Sequence, residues 1–527
     1  MKRRNFLALA ATAGLVAAAC DPGPGSRWGL GGRPGPGFEE DTGPGAEPGA
    51  GDTGSGTTVG VRGDAEELAG LQNPLMVPPL IDPEPGPDGV RRFELTAQAG
   101  RSRLLPGRTT PTWGFNGDVL GPTIRVRRGD VVQVAVTNAL DETTDVHWHG
   151  MRLPAAVAGG PHRPIASGET WTERWIVDQP ATTAWYHPYP LGRTAGHAGR
   201  GLAGMLVVDD YTRRRGLPSA YGVDDIPLIL QDARLAPDGS LAGEARLGAG
   251  GAGGGEGGFV LVNGTAGPFL DVISERVRFR VVNGSGTRVF DLAFGDGRPF
   301  HVVGNDAGLL AASVEVSRVS VAPGERVELV AAFLHGETVL LRDLGGPPDP
   351  GQGGAALLKI VVAPRLTASR PVPRRPAVGL LPIEVPPGAR VRRFRPDGRG
   401  SGNTDLTRID LVVPAAATEV WEIDNPGDAG TFHLQGATFQ VLDVAGDPAP
   451  PHAQGYKDTV YLPARAAVRL AVRFGGLADP GAPYLYHFRT LGSAGAGTTG
   501  QFVIVQPGEE ARTPRTLPPR DTPDDLQ

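Results

Sequence analysis

The sequence has little of what a thiolate-ligated metal enzyme needs: it holds one cysteine, Cys20, and four methionines in 527 residues. A lone cysteine near the start excludes a disulfide framework and leaves the rest of the chain without a thiolate ligand. Lysine and arginine total 51 against 57 aspartate and glutamate, so no basic excess favours nucleic acid as a partner. Beyond residue 20, no apolar run reaches the roughly 20 residues that a membrane-spanning helix needs.

The first 20 residues, MKRRNFLALAATAGLVAAAC, have the pattern of an export signal. Lysine and two arginines precede an apolar run from Phe6 to Ala19 that is short for a spanning helix. RRNFL resembles the twin-arginine signal, and AAAC resembles a lipobox whose cysteine is lipidated. We therefore expect export by the twin-arginine route to the periplasm or cell envelope, with a membrane tether through Cys20. The alternative is an ordinary cleaved signal.

Three segments have compositions that do not favour a packed core. Half of residues 21–60 are glycine or proline, which predicts a flexible tether over 21–67. The run GAGGAGGGEGG at 248–258 predicts a mobile surface loop. The charged, proline-containing end predicts a disordered tail over 509–527.

Between these segments the apolar residues alternate with polar ones, as they do in the run from Val132 to Val136 and the run from Val468 to Val472. A period of two, interrupted by glycine, proline, asparagine and aspartate, is typical of antiparallel strands with one solvated face. Helical periodicity is scarce. The pattern predicts an all-β sandwich architecture.

A repeat underlies this pattern. The segments VQVAVTNALDETTDVHWHG, VRFRVVNGSGTRVFDLAFG and TEVWEIDNPGDAGTFHLQG each contain a strand, an asparagine, a polar turn and a second strand. The asparagines, Asn138, Asn283 and Asn425, are 145 and 142 residues apart. These spacings predict three copies of one sandwich domain, at 68–215, 216–366 and 367–508. Only the first and third copies have histidines in this segment, so a site built from them requires those two domains to meet.

The chain also contains four motifs that resemble, in order, the copper motifs of the multicopper oxidases with three cupredoxin domains: HWHGMRLP (147–154), AWYHPYPLGRTAGHAGRGLAGMLVV (184–208), TFHLQGATFQVL (431–442) and YLYHFRTLGSAGAGTTGQFVIV (484–505). The resemblance extends from about residue 70 to 508. It implies three tandem cupredoxin-like Greek-key β-sandwich domains. It also implies descent from copper-dependent oxidoreductases that reduce dioxygen.

The type 1 copper ligands of that family are absent from this chain. The positions that match the family's cysteine and two histidines hold Phe488, Gly430 and Ser493, and the axial position holds Thr498. Type 1 copper needs a soft thiolate with imidazoles, and the only cysteine is in the signal. We therefore do not expect laccase-type activity.

The trinuclear copper ligands are only partly present. His147 and His433 match the type 2 ligands, and His149, His187 and His487 match three of the type 3 ligands. The other type 3 positions hold Tyr189, Gln435 and Arg489, side chains that we expect to hydrogen-bond the remaining imidazoles. A guanidinium offers no lone pair and repels a cation, so Arg489 argues against copper nearby. Two acids that supply protons in the family correspond here to Ala158 and Ala494.

The five histidines permit two interpretations. They are either buried, hydrogen-bonded residues between the first and third domains, which we expect, or a residual metal site centred on His147 and His433. Among the copper-free members of the family, the chain resembles the FtsP-like exported scaffolds of cell division, including in the segment SVAPGERVELVAAF (320–333). It differs in retaining five histidines and in its lipobox and tether.

These observations together predict a non-catalytic scaffold of the cell envelope. It would bind envelope proteins as a monomer and need no cofactor. The alternative is a copper-binding protein or an oxidoreductase that holds one copper ion at the type 2 position.

Overall fold

The computed structural model describes residues 70–518 except 106, 191–193, 210–215, 237–238, 242–257, 346–354, 378–380, 397–404 and 492–496. The predicted signal and tether, and the glycine-rich loop up to residue 257, lie outside these residues. The described chain is almost entirely strands, so the predicted all-β class is confirmed. It contains one short helix, α1 (Thr194–Gly199), and 3-10 turns at Ala155–Val157 and Pro451–Ala453. None of its helices is long and apolar enough to cross a membrane.

The chain begins with β1 (Asn73–Pro74) and then forms a first sandwich of two sheets with the strand orders β4-β3-β6-β8 and β2-β5-β10-β9-β7. The strands of this sandwich are β2 (Leu80–Ile81), β3 (Val90–Leu105), β4 (Arg108–Phe115), β5 (Thr123–Arg127), β6 (Val131–Asn138), β7 (His147–His149), β8 (Thr170–Ile176), β9 (Thr182–His187) and β10 (Gly204–Asp209). Alternate side chains of both sheets fill its core, among them Val134, Trp148 and Tyr186.

The second sandwich has sheets in the orders β13-β12-β11-β15-β20-β17-β18 and β1-β14-β22-β21-β16-β19. The strands after β10 are β11 (Asp225–Arg234), β12 (Gly258–Val262), β13 (Thr265–Ala266), β14 (Pro268–Ser274), β15 (Arg276–Asn283), β16 (Phe290–Phe294), β17 (Phe300–Asn305), β18 (Gly308–Val316), β19 (Arg318–Val321), β20 (Arg326–Ala332), β21 (Thr338–Asp343) and β22 (Ala355–Thr367). Its core includes Phe279 and Phe290.

The third sandwich has sheets in the orders β23-β25-β30-β27-β28 and β24-β32-β31-β26-β29. Its strands are β23 (Val391–Phe394), β24 (Leu411–Pro414), β25 (Thr418–Asn425), β26 (Gly430–Leu434), β27 (Ala437–Val444), β28 (Asp447–Pro448), β29 (Thr459–Leu462), β30 (Ala466–Phe474), β31 (Asp479–Thr490) and β32 (Gly497–Val505). Trp421 and Phe432 lie at the centre of its core.

The three repeated asparagines make the same hydrogen bonds in each sandwich. The Oδ1 atoms of Asn138, Asn283 and Asn425 accept a bond from the backbone N–H two residues later, at 3.0, 2.9 and 3.3 Å. Each Nδ2 donates to a backbone carbonyl after the following turn and to one in a more distant segment, and that of Asn425 also lies 3.5 Å from the oxygen of Leu462. The repeat in the sequence is therefore a repeated turn that the asparagine side chain closes.

Two terminal segments differ from the sequence-based expectation. Strand β1, from the range assigned to the first domain, pairs with β14 of the second sandwich. Residues 509–518 were expected to be disordered with the rest of the tail, but this part is ordered: Leu517 donates its N–H to the backbone of Thr407, and its side chain packs beside Ile409. An apolar leucine among charged residues gives this segment a contact that overall composition does not reveal.

Candidate functional site

Two strand pairs carry the predicted histidines. In the first sandwich, β7 pairs with β9 so that His147 lies opposite His187. In the third sandwich, β26 pairs with β31 in the same way, and His433 lies opposite His487. His149 is two residues after His147, so both side chains lie on the same face of β7. The repeated fold therefore presents equivalent histidine pairs from the first and third sandwiches.

His147 and His433 meet between these two sandwiches, with their Nε2 atoms 3.2 Å apart. Nδ1 of His147 lies 3.2 Å from Nε2 of Gln435, whose Oε1 accepts the backbone N–H of Leu485 at 3.1 Å. Nδ1 of His433 lies 3.1 Å from the backbone oxygen of Asp458. Each ring nitrogen of this histidine pair has a polar partner within the protein. The expectation that Gln435 hydrogen-bonds an imidazole agrees with this geometry.

His149 joins the pair from the side. Its ring centroid is 3.8 Å from that of His433, its Nδ1 lies 3.2 Å from Nε2 of His187, and its Nε2 lies 3.0 Å from Oγ1 of Thr459. Ligand nitrogens of His147, His149 and His433 lie within 4.8 Å of one another. Within the described parts of the chain, this is the one group of three or more potential metal ligands with that proximity.

A buried ion pair supports the cluster from the second sandwich. Arg326 donates to both carboxylate oxygens of Asp458, at 2.7 and 2.5 Å, and to the backbone oxygen of Thr183 in the first sandwich at 3.1 Å. Oδ1 of Asp458 lies 3.4 Å from Nε2 of His149. Gly150, with φ of 92°, leaves room for the guanidinium, because a Cβ there would lie 2.4 Å from its Nη2 atom.

Burial determines the protonation states in this region. It lowers the pKa values of His147 and His149 well below the usual value, and the pKa values of His187 and His487 to about 3. Burial alone would raise the pKa of Asp458, but the adjacent arginine holds that pKa well below its usual range. These four imidazoles are therefore neutral at pH 7, and the carboxylate is charged.

Tyr189 and Arg489 stand at two positions where the family has type 3 ligands. The Tyr189 ring contacts His187 and His487 edge-on, at centroid distances of 6.5 and 5.5 Å, and its hydroxyl bonds to Thr499 rather than to an imidazole. Tyr189 therefore contacts the imidazoles through its ring and not through the expected hydrogen bond, because its hydroxyl is bonded to Thr499. The charge of Arg489 adds to burial in lowering the pKa values of His187 and His487.

Phe488 fills the position of the type 1 cysteine. Its side chain is buried, and its ring centroid lies 4.9 Å from that of Phe432, 5.8 Å from that of Phe394 and 6.0 Å from that of Tyr486. On the paired strand, Gly430 has no side chain to offer. Ser493 lies outside the described residues. An aromatic cluster occupies this part of the third core.

The residues present do not fit the family's copper centres. At the type 1 position, the described residues are a phenylalanine, a glycine and Thr498, none of which is a strong copper ligand. At the trinuclear position, tyrosine, glutamine and arginine replace three imidazoles, and the two type 2-like imidazoles face each other at hydrogen-bond distance. No step of dioxygen reduction can be assigned to this arrangement.

A small, partly open pocket lies beside the histidine pair, between β7 and the start of β27. His147, His433, Gln435 and Asp458 lie along it, with Arg152. The His433 side chain is 13% exposed, so water or a small ion can approach the pair from this side.

Sequence reasoning brought the correct histidines together but missed the residues that orient them. Asp458 and Thr459 come from KDTVYL, and Arg326 from the segment GERVELV; neither segment was assigned a role at the site. The available signal was a charged residue inside or beside an apolar, alternating run, because such a residue is buried only when a partner neutralises it.

The family models and the relatives that match this chain indicate the same family. A multicopper oxidase family model matches residues 96–213, and a second matches residues 384–508. The cell division protein FtsP of Escherichia coli is 34% identical over 450 residues, which cover 83% of this chain and 93% of that protein. FtsP of Dickeya dadantii is 35% identical, with 82% and 93% covered. The chain belongs to the multicopper oxidase family.

Solved structures of this multicopper oxidase family agree with the fold. The laccase-like multicopper oxidase CueO from Ochrobactrum sp. superposes with a TM-score of 0.73 at 33% identity, covering 82% of this chain and all of that one. A laccase from Pediococcus acidilactici has a TM-score of 0.74 at 30% identity, covering 82% and 94%. The similarity to named oxidases thus concerns the whole three-sandwich body, whereas the differences at the copper positions are local.

Proposed function

We propose that this chain is a non-catalytic, FtsP-like binding protein of the cell envelope. The observation that carries the proposal is Phe488, buried among Phe432, Phe394 and Tyr486 where a type 1 cysteine would accept electrons. An oxidase of this family needs a route for electrons into its oxygen-reducing site, and this chain has replaced that route with apolar packing. The 34% identity to the cell division protein FtsP supports the same conclusion.

The N-terminal export signal supports a location of the protein in the cell envelope. The leader and the tether over 21–67 support export by the twin-arginine route and attachment through a lipid on Cys20. The folded body, with domains at 68–215, 216–366 and 367–508, would then act as a monomer within reach of the membrane. Its partners would be proteins of the envelope that contact loops on its surface.

A copper-binding role is the second candidate. The proximity of three histidine nitrogens within 4.8 Å supports one copper ion at His147 and His433. The hydrogen bonds that already occupy the ring nitrogens oppose it. An oxidoreductase based on that ion would also need an external reductant, since the chain offers no type 1 site.

Two measurements on the full chain test these candidates. Protein purified from copper-supplemented cells is dialysed against a weak chelator and its copper content measured, with a His433→Ala variant as control. The proposal expects less than about a tenth of an equivalent; near one equivalent that His433→Ala removes would overturn it in favour of copper binding.

The second measurement addresses the role in cells. Deletion of the gene is expected to lengthen cells when division is stressed, and the wild-type gene is expected to restore their length. A gene with Arg3→Lys and Arg4→Lys should fail to restore it, because the protein would not be exported. Normal division in the deletion strain would contradict the FtsP-like role.

A further inference from the structure

The partners of the histidine pair determine which nitrogen of each ring carries its proton. Nδ1 of His433 lies 3.1 Å from the backbone oxygen of Asp458, which can only accept a hydrogen bond. Nδ1 of His433 therefore donates to this oxygen and towards the Thr459 hydroxyl oxygen 3.0 Å away, whose own proton is given to Asp458, and Nε2 of His433 is directed at His147. This is the orientation of a metal-binding histidine, whose other nitrogen donates to a carbonyl.

The positions of the proton and the lone pair are reversed in the ring of His147. Oε1 of Gln435 accepts the backbone N–H of Leu485, and this bond fixes the side-chain amide so that its Nε2 faces Nδ1 of His147. An amide NH₂ can only donate, so the Gln435 contact places the lone pair of His147 on Nδ1 and its proton on Nε2. The ring of His147 also donates to the backbone oxygen of Ala158. The assignments made from the two ends agree on a single bond: His147 donates through Nε2 to the lone pair of His433 at 3.2 Å.

We propose that Gln435 excludes metal ions from the histidine pair by holding His147 in the tautomer whose Nε2 is protonated. The proposal goes beyond the loss of catalysis and rests on the proposed copper-free function. An ion that bound both Nε2 atoms would force the proton of His147 onto Nδ1, against the NH₂ group of Gln435. Turning the amide would place the same NH₂ group against the N–H of Leu485, so either response loses a buried hydrogen bond.

One nearly isosteric substitution reverses this arrangement. In a Gln435→Glu variant, one carboxylate oxygen can keep the bond from Leu485 while the other accepts a proton from Nδ1 of His147. The Nε2 lone pairs of His147 and His433 would then face each other across 3.2 Å, a separation at which both can lie about 2 Å from one Zn²⁺ ion. The pocket that reaches His433 gives an ion access to them.

Calorimetric titration of the full chain with Zn²⁺ tests the exclusion. We expect the Gln435→Glu variant to bind one Zn²⁺ at least tenfold more tightly than the wild type, and the added His433→Ala substitution to abolish this gain. Co²⁺ should give a tetrahedral absorption spectrum in the single variant only. Equal Zn²⁺ affinity of the wild type and the Gln435→Glu variant would overturn the proposal.

The matched control is Gln440→Glu. Gln440 also accepts a backbone N–H, from Ile383 at 2.5 Å, and donates through Nε2, to Gln454 at 2.8 Å, but it bonds no histidine. The Gln440→Glu substitution adds the same charge to the third sandwich and is expected to leave the Zn²⁺ affinity unchanged. A gain as large as that of Gln435→Glu would attribute the effect to charge and overturn the proposal.

A measurement on the wild type does not depend on any variant folding. In the ¹⁵N-histidine spectrum of the full chain, with His147 assigned by a His147→Gln variant, the proton is expected on Nε2. A proton on Nδ1 would overturn the proposal while leaving the binding-protein function intact. Stoichiometric copper in the wild type would instead contradict that function, so the two failures are distinguishable.

Discussion

Arg326 of the second sandwich holds Asp458 of the third by two hydrogen bonds, at 2.7 and 2.5 Å, and both side chains are buried. The same guanidinium bonds the backbone of Thr183 in the first sandwich. Asp458 in turn faces His149 and His433, so the orientation of the histidine cluster depends on an arginine that is not part of it. This ion pair therefore connects all three sandwiches.

Asp458→Ala is expected to destabilise the protein by about 3–5 kcal/mol, because it removes the hydrogen-bonded carboxylate of the buried Arg326 charge and leaves only Asp306, at 3.9 Å, beside it. Chemical denaturation of the full chain measures the change. The control is Asp178→Ala, which removes an exposed partner of Arg128 at 3.0 Å and should cost less than about 1 kcal/mol. Equal effects of the two substitutions would show that the buried pair has no special role in stability.

Gly500→Ala is expected to destabilise the third sandwich by about 1–3 kcal/mol or more, because a Cβ there would lie 2.1 Å from the ring of buried Tyr486 on the paired strand. Thermal unfolding of the two proteins measures the difference. Gly476→Ala is the control, since no atom lies within 4 Å of a Cβ at that position. If Gly500→Ala unfolds at the same temperature as the wild type, the strand pair can move apart without loss of stability.

Phe488→Cys restores the family's residue type without restoring its site. We expect no blue copper absorption, since Gly430 provides no imidazole, and a loss of about 2–4 kcal/mol from the cavity left in the aromatic cluster. Absorption spectra with added copper and denaturation curves give the two readouts. Phe488→Leu keeps most of the apolar volume and should lose less stability; an equal loss would contradict the cavity argument.

Stability is expected to fall as the pH falls from about 6.5 towards 3. The folded pKa values of His187 and His487 are lowered to about 3, and an unfolded histidine titrates near 6.5, so the unfolded chain binds protons that the folded chain does not. Each such histidine contributes up to about 1.4 kcal/mol per pH unit in this window. His487→Gln should reduce the slope of unfolding free energy against pH by about this amount, and an unchanged slope would exclude it as the source.

Asp145 has the opposite pH dependence. Burial raises its pKa to about 7, although its Oδ1 accepts the backbone N–H of Tyr189. Between about pH 4 and 7 the folded chain binds a proton that the unfolded chain has lost, so this residue reduces stability as the pH rises. Asp145→Asn is expected to stabilise the protein at pH 8 and to have little effect at pH 4. Equal effects at both pH values would contradict this assignment.

The sequence was most informative where a pattern repeats. The alternating apolar residues and the asparagines at 138, 283 and 425 predicted the sandwiches, and the absence of histidines from the second repeat meant that a site built from them would require the first and third to meet. His147 and His433 do meet, with 3.2 Å between their Nε2 atoms. The all-β prediction is confirmed, and it could be made because strand periodicity is a local property of a chain.

The orientation of the site could not be derived in the same way. Arg326 and Asp458 are 132 residues apart and belong to different sandwiches, so no local pattern connects them. The role of Gln435 depends on which of its two amide atoms faces Leu485, a matter of side-chain geometry rather than residue type. Contacts of this kind become visible only when the packing of the sandwiches is known.

The connection through Arg326 also restricts how the protein can be divided. A fragment that ends after the second sandwich would retain the buried guanidinium without Asp458, and a fragment that begins with the third would retain the carboxylate without its cation. Each half would then have to hydrate a charge on a surface shaped to exclude water. Fragments for mapping a binding partner should therefore keep Arg326 and Asp458 together. A sandwich expressed alone could fail to bind because it is misfolded, and not because it lacks the binding surface.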